Sequence, residues 1–418
     1  MQSSTKVEFT NEMIVKGFGD LTPNEGQLEG VKRLLAWYQD TLFGGDKDTY
    51  SLGGYAGTGK TTILNAFKSL LVEHLSVSSI GFVSLTGRAV LNMQERSVEV
   101  DGLMDSYSTI HSLLYRPKTD ERGNIIGWKK VSRFEIPNFD LLVNDEASMT
   151  NGELQTDLED LGIPILYVGD HGQLPPVKSE GKNVMENPDF ALSQVMRQAL
   201  DSPIIKLATM ARKGIPIERK PYGPGVQRFN EQLPLPMDIE KLMLTPDPET
   251  IIITDKNLTR VKLNQMMLQH LDYEPFEGNP YAPFPGARII FLRNRATDRI
   301  YNGQLATVVS VVDYDEYNYS LSVRVDDDPD TVREKVLVAK YAFNQAKPKQ
   351  PEDPDNRMLY QRLGVPADFG YAITCHKSQG SEWKTVFVCG VGFGPMDMRK
   401  RWLYTALTRA RTNLYIIK

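Results

Sequence analysis

Cysteine is nearly absent from this 418-residue chain: Cys375 and Cys389 are its only two. Two thiols cannot build a disulfide framework, and no Cys/His cluster has zinc spacing, so a reducing compartment, the cytoplasm, is expected. Any metal must then be held by oxygen. No apolar run approaches the roughly 18 residues of a membrane span, and the opening stretch MQSSTKVEFTNEM has no apolar core of signal-peptide length. Neither secretion nor a membrane partner is expected. A basic excess is missing too: 48 Lys and Arg face 53 Asp and Glu, a net charge of -5, which excludes a globally basic nucleic-acid-binding tail. There is no repeat of fixed period, and the one biased tract, Asp326-Asp327-Asp328-Pro329-Asp330, reads as a solvated turn.

What is present is the composition of an ordinary globular protein, 41% hydrophobic and 24% charged, long enough for two or three domains with real cores. Charge is uneven. Eight basic and two acidic residues lie between Ala372 and Lys418, leaving 40 basic against 51 acidic in the rest, so the C-terminal end is a local basic surface on an acidic molecule. Strand-like runs at Ser51-Leu52, Ile80–Leu85, Leu141–Val143, Ile165–Val168, Ile251–Thr254 and Val386–Val388 alternate with longer helical patterns. That alternation predicts a parallel α/β architecture. Two stretches interrupt it. Arg116–Pro137 carries a turn signal at Glu121-Arg122-Gly123-Asn124 and predicts a β-hairpin; Tyr301–Val338 alternates with a period near two and predicts a small antiparallel barrel or sheet. The proline-rich segment Lys347–Asp355 reads as a loop.

Two motifs carry chemistry. Gly54-Tyr55-Ala56-Gly57-Thr58-Gly59-Lys60-Thr61 follows a strand and opens a helical pattern, the context a phosphate-binding loop requires. Glycines Gly57 and Gly59, with Thr58 and Thr62, let backbone N–H groups turn towards phosphate oxygens; Lys60 brings a cation to the β and γ phosphates, and the Thr61 hydroxyl suits magnesium. ATP and Mg2+ are therefore the expected ligands. Leu141-Leu142-Val143-Asn144-Asp145-Glu146 is an apolar strand ending in two carboxylates, which strand alternation would place on opposite sides of its end. Asp145 then holds the metal and Glu146 activates water, so the reaction is hydrolysis of the γ-phosphate.

Val168-Gly169-Asp170-His171-Gly172-Gln173-Leu174-Pro175-Pro176-Val177 resembles the third motif of superfamily 1 helicases, and further segments follow in that family's order. Leu21–Gln27 is similar to its adenine-reading segment, Val83–Ala89 and Thr109–Leu114 to its strand-touching loops, and Val195-Met196-Arg197-Gln198 to the motif that sends an arginine to the γ-phosphate. Ala372–Trp383 and Leu403–Arg411 look like the T-x-H-K-x-Q-G-x-E and Y-T-A-x-T-R-A-R signatures of the 5′ to 3′ RecD-like and Dda-like branch, with the compact phage Dda-like enzymes nearest in length.

The resemblance implies two tandem RecA-like motor domains, residues 1–190 and then 191–296 with 364–418. A strand-separating pin would occupy 116–137 of the first, and an SH3-like β domain, 297–363, would be inserted in the second. It implies catalysis by Lys60, Glu146, Gln173, Arg197 and Arg409, with both arginines coming from the second domain, and nucleotide contacts from Gln27, Gly380 and Glu382. DNA contacts are implied for Thr86, His111, Pro175, Thr254, Asn257, His376 and Lys377. Trp128 either stacks at the junction or anchors the hairpin; Trp383, Trp402 and Tyr404 either stack on bases or belong to the core.

The implied partners are single-stranded DNA, duplex junctions and single-strand-binding or replication proteins, acting on a monomer in replication, recombination or repair. Two alternatives stay open: an RNA-directed helicase of the same superfamily, and a translocase that remodels DNA–protein complexes without separating strands.

Overall fold

The computed structural model describes residues 6–119, 125–176, 183–196, 201–230, 232–295, 298–351 and 362–417. The chain divides into two compact units, the first made of residues 1–118 and 126–206, the second principally of 207–418.

In the first unit the short apolar runs become the strands of one parallel sheet: β1 (Thr49–Gly54), β2 (Ser79–Ser84), β3 (Met104–Thr109), β6 (Leu141–Asn144), β7 (Ile165–Gly169) and β8 (Phe190–Leu192), in the order β3-β2-β6-β7-β1-β8. Strands buried on both faces need helices on both sides. On one side lie α1 (Asn11–Gly17), α2 (Glu25–Leu42) and α3 (Lys60–Leu75), whose Leu34, Phe67 and Leu71 pack with Ile80, Phe82 and Val143. Against the other side lie α5 (Ile110–Leu114) and α6 (Gly152–Glu159), where Leu113, Leu154 and Leu158 meet Ile165 and Tyr167. Each such buried aliphatic or aromatic side chain stabilises by about 1.5–3 kcal/mol. The helix α4 (Gly87–Arg96) is started by Thr86, whose hydroxyl accepts from Ala89 N at 3.2 Å.

Strand β8 pairs in parallel with β1, Leu52 opposite Phe190. The first sheet therefore runs past residue 190, the expected end of the domain; a three-residue strand is too short to be legible as a pattern. The expected hairpin is a two-stranded ribbon, β4 (Tyr115–Thr119) and β5 (Ile125–Lys130). Its base is fastened to α6: Tyr115 donates to Asp157, and Lys130 Nζ lies 2.7 Å from Asp157 and 2.8 Å from Asp160. The turn signal at residues 121–124 lies outside the described residues.

The second unit holds another sheet, in the order β17-β11-β18-β19-β10-β9. Strands β11 (Thr250–Thr254), β17 (Ala372–Thr374), β18 (Trp383–Cys389), β19 (Ala410–Ile416) and β10 (Val226–Arg228) are parallel, and β9 (Pro221–Gly223) is antiparallel at the edge. Between β11 and β17 the chain forms a closed barrel of β12 (Arg288–Phe291), β13 (Leu305–Asp313), β14 (Asn318–Val325), β15 (Val332–Ala339) and β16 (Val365–Phe369). The first and last of these lie outside the span 297–363, because β12 pairs with β16, 76 residues apart at the nearest, between Phe291 and Ala367, and legible only once the strands meet.

A buried ion pair ties barrel to sheet. Arg260, on the helix Asn257–His270, pairs with Asp368 of β16 and donates to Gln345 O at 2.8 Å, while Asp368 accepts from the amides of Asn344 and Phe369, each at 2.8 Å. One turn further, Asn264 donates to Phe369 O and Ala372 O and accepts from Ala372 N. Breaking a buried pair leaves a charge unpaired. Arg260→Met is expected to destabilise the second unit by about 3–5 kcal/mol, read as a lower denaturant midpoint.

Candidate nucleotide and nucleic-acid sites

The loop Tyr55–Gly59 joins β1 to α3 in the first unit. Gly57 and Gly59 sit at φ 77° and 85°, the left-handed region that glycine alone enters without strain. A Cβ on Gly59 would also lie 2.3 Å from Gln27 Nε2, so the loop and Gln27 are in close contact. Lys60 Nζ turns back on the loop, donating to Gly54 O at 2.8 Å and Tyr55 O at 3.4 Å. The Thr58 hydroxyl is buried and donates to Tyr55 O at 2.8 Å, so of Thr58 only the backbone is available to a ligand. Thr61 and Thr62 are half-buried in the first turn of α3.

Gln27 is positioned by a capping box. Asn24 Oδ1 accepts from Gln27 N at 2.9 Å and Gln27 Oε1 accepts from Asn24 N at 3.0 Å. This consumes one end of the amide, while Nε2, in a fully buried residue, has no hydrogen-bond partner among the described residues. An orphaned buried donor costs about 1–3 kcal/mol, which is accounted for if an acceptor on a ligand belongs there. Asn24 itself went unrecognised in sequence, although N-x-x-Q before an apolar run is a capping signature.

Asp145 and Glu146 are not arranged by strand alternation. The strand β6 ends at Asn144, Asp145 N donates to Val83 O at 3.0 Å, and Glu146 adopts a left-handed φ of 54° with its amide on Asp145 Oδ1 at 2.9 Å. The two carboxylates are separated by a sharp turn instead. Burial pushes the Asp145 carboxyl up, and the amide of Glu146 and the charges of Lys60 and Arg96 offset only part of that rise. Gln173 is buried in the loop after β7, its amide on Asp170 O at 3.1 Å, and Pro175 lies half-buried beyond it. The ring of His171 in this loop stands 4.2 Å from Tyr55 of the phosphate loop, a link that sequence did not announce.

Arg197 lies outside the described residues. Its neighbour Met196 belongs to the first unit, with its amide on Gly57 O at 2.9 Å; the expectation that this segment comes from the second domain is thereby corrected, since it runs directly on from β8.

Arg409, in the second unit, is buried and donates to Thr405 O at 3.1 Å, Ser381 O at 3.3 Å and Thr408 Oγ1 at 3.1 Å. Every acceptor is neutral, and among the described residues it has no ion pair. Gly380 turns left-handed at φ 76° just before half-buried Glu382 and β18.

The expected DNA contacts fare unevenly. Thr86 is half-buried as the cap of α4, and His111, half-buried beside Tyr115, is held below the usual histidine range by burial. Asn257 is exposed. Thr254 is fully buried, its hydroxyl without a hydrogen-bond partner among the described residues; it closes β11 between β17 and β18. His376 is half-buried beside Phe393. Lys377 donates to Asn302 at the start of the barrel and is pushed down to about 8 by burial and then by Arg260. Trp383, Trp402 and Tyr404 are buried and belong to the core, whereas Trp128 is 45% exposed.

Residues 45–179 match the model of an AAA domain and residues 369–417 that of the UvrD-like helicase C-terminal domain. The ATP-dependent RecD2 DNA helicase of Deinococcus radiodurans is 28% identical over 386 residues, 87% of this chain but 46% of that protein, so this chain spans about half of its length. The ATP-dependent DNA helicase Pif1 of Campylobacter jejuni is 25% identical over 87% of each chain. Among solved structures, Bacteroides Pif1 in complex with ADP-AlF3 and single-stranded DNA superposes with a TM-score of 0.50 at 20% identity, covering 95% of this chain and 92% of that one. Two RecA-like sheets with an inserted barrel are the common fold.

Proposed function

We propose that this chain, which belongs to the Pif1- and RecD2-like superfamily 1 helicases, hydrolyses ATP to move 5′ to 3′ along single-stranded DNA and to unwind the duplex ahead. The observation that carries the reading is Arg409: a buried guanidinium whose donors, among the described residues, reach only neutral oxygens, in a unit whose sequence holds no phosphate loop of its own. A buried cation is normally paired, and the γ-phosphate of ATP is the anion this reading supplies.

In this scheme Gly57, Gly59 and the backbone of Thr58 cradle the phosphates, and Lys60 leaves its loop carbonyls for the β and γ oxygens. Glu146 orients the attacking water, and Lys60 and Arg409 neutralise charge on the equatorial oxygens as the phosphoryl group leaves. Thr61 and Asp145 would hold the magnesium ion; when bound, it supplies further charge neutralisation. Gln173 and the His171–Tyr55 contact would report phosphate state to the loops that grip the strand. Gln27 Nε2 donates to the adenine, so Gln27→Ala is expected to raise the Kd for ATP about tenfold and to narrow the preference over GTP, read by titration calorimetry.

Exposed Trp128, on a ribbon fastened to α6, serves as the wedge at the junction. Lys377 grips a phosphate when charged. Its depressed value of about 8 means that the ammonium is present at pH 7 and largely lost at pH 9. Affinity for single strands is therefore expected to fall as pH rises through 8, with the salt slope dropping by about one and the drop missing in Lys377→Gln.

The deciding measurement is ATP-dependent unwinding of a short duplex with either a 5′ or a 3′ single-stranded tail. Unwinding from the 5′ tail alone is expected. A 3′ preference overturns the polarity, hydrolysis without unwinding from either tail leaves a remodelling translocase, and stronger ATPase stimulation by poly-U than by poly-dT makes RNA the track.

A further inference from the structure

The second unit carries an exposed apolar loop that none of the helicase motifs includes. Between β18 and the helix Met396–Leu407 runs Gly390-Val391-Gly392-Phe393-Gly394-Pro395. Val391, Phe393 and Met396 are 50, 43 and 67% exposed, three apolar side chains within six residues.

The backbone beneath them is held on both sides. Val391 N donates to Asp255 at 3.4 Å, Arg399 Nε donates to Gly394 O at 3.0 Å, and a Cβ on Gly390 or Gly392 would lie 3.1 Å from the Trp402 side chain. Gly392 and Gly394 take φ of 76° and 81°, turns that put the intervening Phe393 outward. A pinned loop that presents an aromatic ring costs more than one that buries it, so the ring is there to be covered. The loop follows the carboxyl end of β18, as Cys375-His376 follows that of β17, and ligands of open parallel sheets bind beyond those ends. The ring of His376 lies 6.1 Å from that of Phe393 at 33°. Of the segment's eight basic residues, Arg409 is buried and Arg401 and Arg411 are paired with Asp397 and Glu249; exposed Arg399 and half-buried Lys377 flank the pair. An aromatic platform set in a basic surface fits a nucleobase with its phosphate, since every base has a π-face and the charge follows the backbone.

We propose that Phe393 is a base-stacking platform for a single strand, with one nucleobase lying on its ring beside His376 and Arg399 holding the adjoining phosphate. This rests on the motor reading above and adds a contact outside its motifs.

The test is anisotropy of labelled 12-nucleotide dT and of an abasic oligonucleotide of equal length, on the full chain and on Phe393→Ala and Phe393→Trp. Stacking is worth about 1–3 kcal/mol per base, so Phe393→Ala should weaken dT binding by about 5- to 150-fold, leave abasic binding within twofold of the parent, and be rescued by Phe393→Trp. Equal losses on both oligonucleotides, or no loss on dT, overturn the platform while leaving the motor intact. A parent chain that binds neither oligonucleotide overturns both the platform and the motor reading. Thermal midpoints of the variants separate loss of contact from loss of fold.

Discussion

Lys60→Ala should reduce ATP turnover at saturating single-stranded DNA by about 10³- to 10⁵-fold, the range seen when a charge that stabilises transferring phosphate is removed. The physical reason is local. Lys60 is the cation at the head of α3, its ammonium parked on Gly54 O and Tyr55 O, and these neutral contacts are weak enough to be exchanged for phosphate oxygens. Binding should suffer less than turnover, because the loop amides and Gln27 still hold the nucleotide. The fold should suffer little, since the loop geometry is imposed by Gly57 and Gly59 and by the internal bond of Thr58. Steady-state ATPase with and without poly-dT, alongside the nucleotide Kd, is the measurement. Turnover within tenfold of the parent would sink the assignment of this loop as the hydrolytic site.

Arg409→Ala is expected to lower turnover by about 10³-fold or more while leaving the Kd for ATP within a few-fold, since an arginine that meets charge developing in the transition state contributes little to ground-state binding. Arg409 is also buried, and its loss strips donors from Thr405 O, Ser381 O and Thr408 Oγ1, each missing partner costing about 1–3 kcal/mol. Arg409→Lys distinguishes the two effects. Lysine keeps the charge and part of the hydrogen bonding but not the planar fork, so it should restore most of the thermal midpoint and only a small part of the turnover. A variant that recovers both equally would reduce Arg409 to a packing residue.

Much of the candidate site was legible because it is local. A phosphate loop is a run of eight residues whose glycine positions follow from the φ values the backbone must take, and the strands at Ser51-Leu52, Ile80–Leu85 and Ile251–Thr254 are short apolar runs whose burial on both faces leaves a pattern. The illegible parts are of two kinds. Side-chain direction at strand ends was misread for Asp145 and Glu146, because the left-handed turn at Glu146 is not coded by alternation. The burial of Thr254 is not legible either, because a threonine at the end of a central strand looks the same in sequence whether its hydroxyl meets solvent or lies between the neighbouring strands β17 and β18.

The amino-acid sequence by itself determined the chemistry available to this protein: a triphosphate cradle, two acids after a strand, a glutamine loop, and a basic C-terminal segment on an otherwise acidic chain, all set by residue type and spacing within windows of about ten residues. Tertiary structure alone decided which of those groups are exposed, and with whom they pair. The barrel closes through β12 and β16, which are distant in sequence; Gln27 reaches the phosphate loop because α2 packs on the sheet beside α3; Arg409 stands buried among neutral oxygens; and Phe393 is 43% exposed between two left-handed glycines. Spacing is a property of neighbours along the chain, whereas burial and pairing belong to segments that meet only after the core has formed.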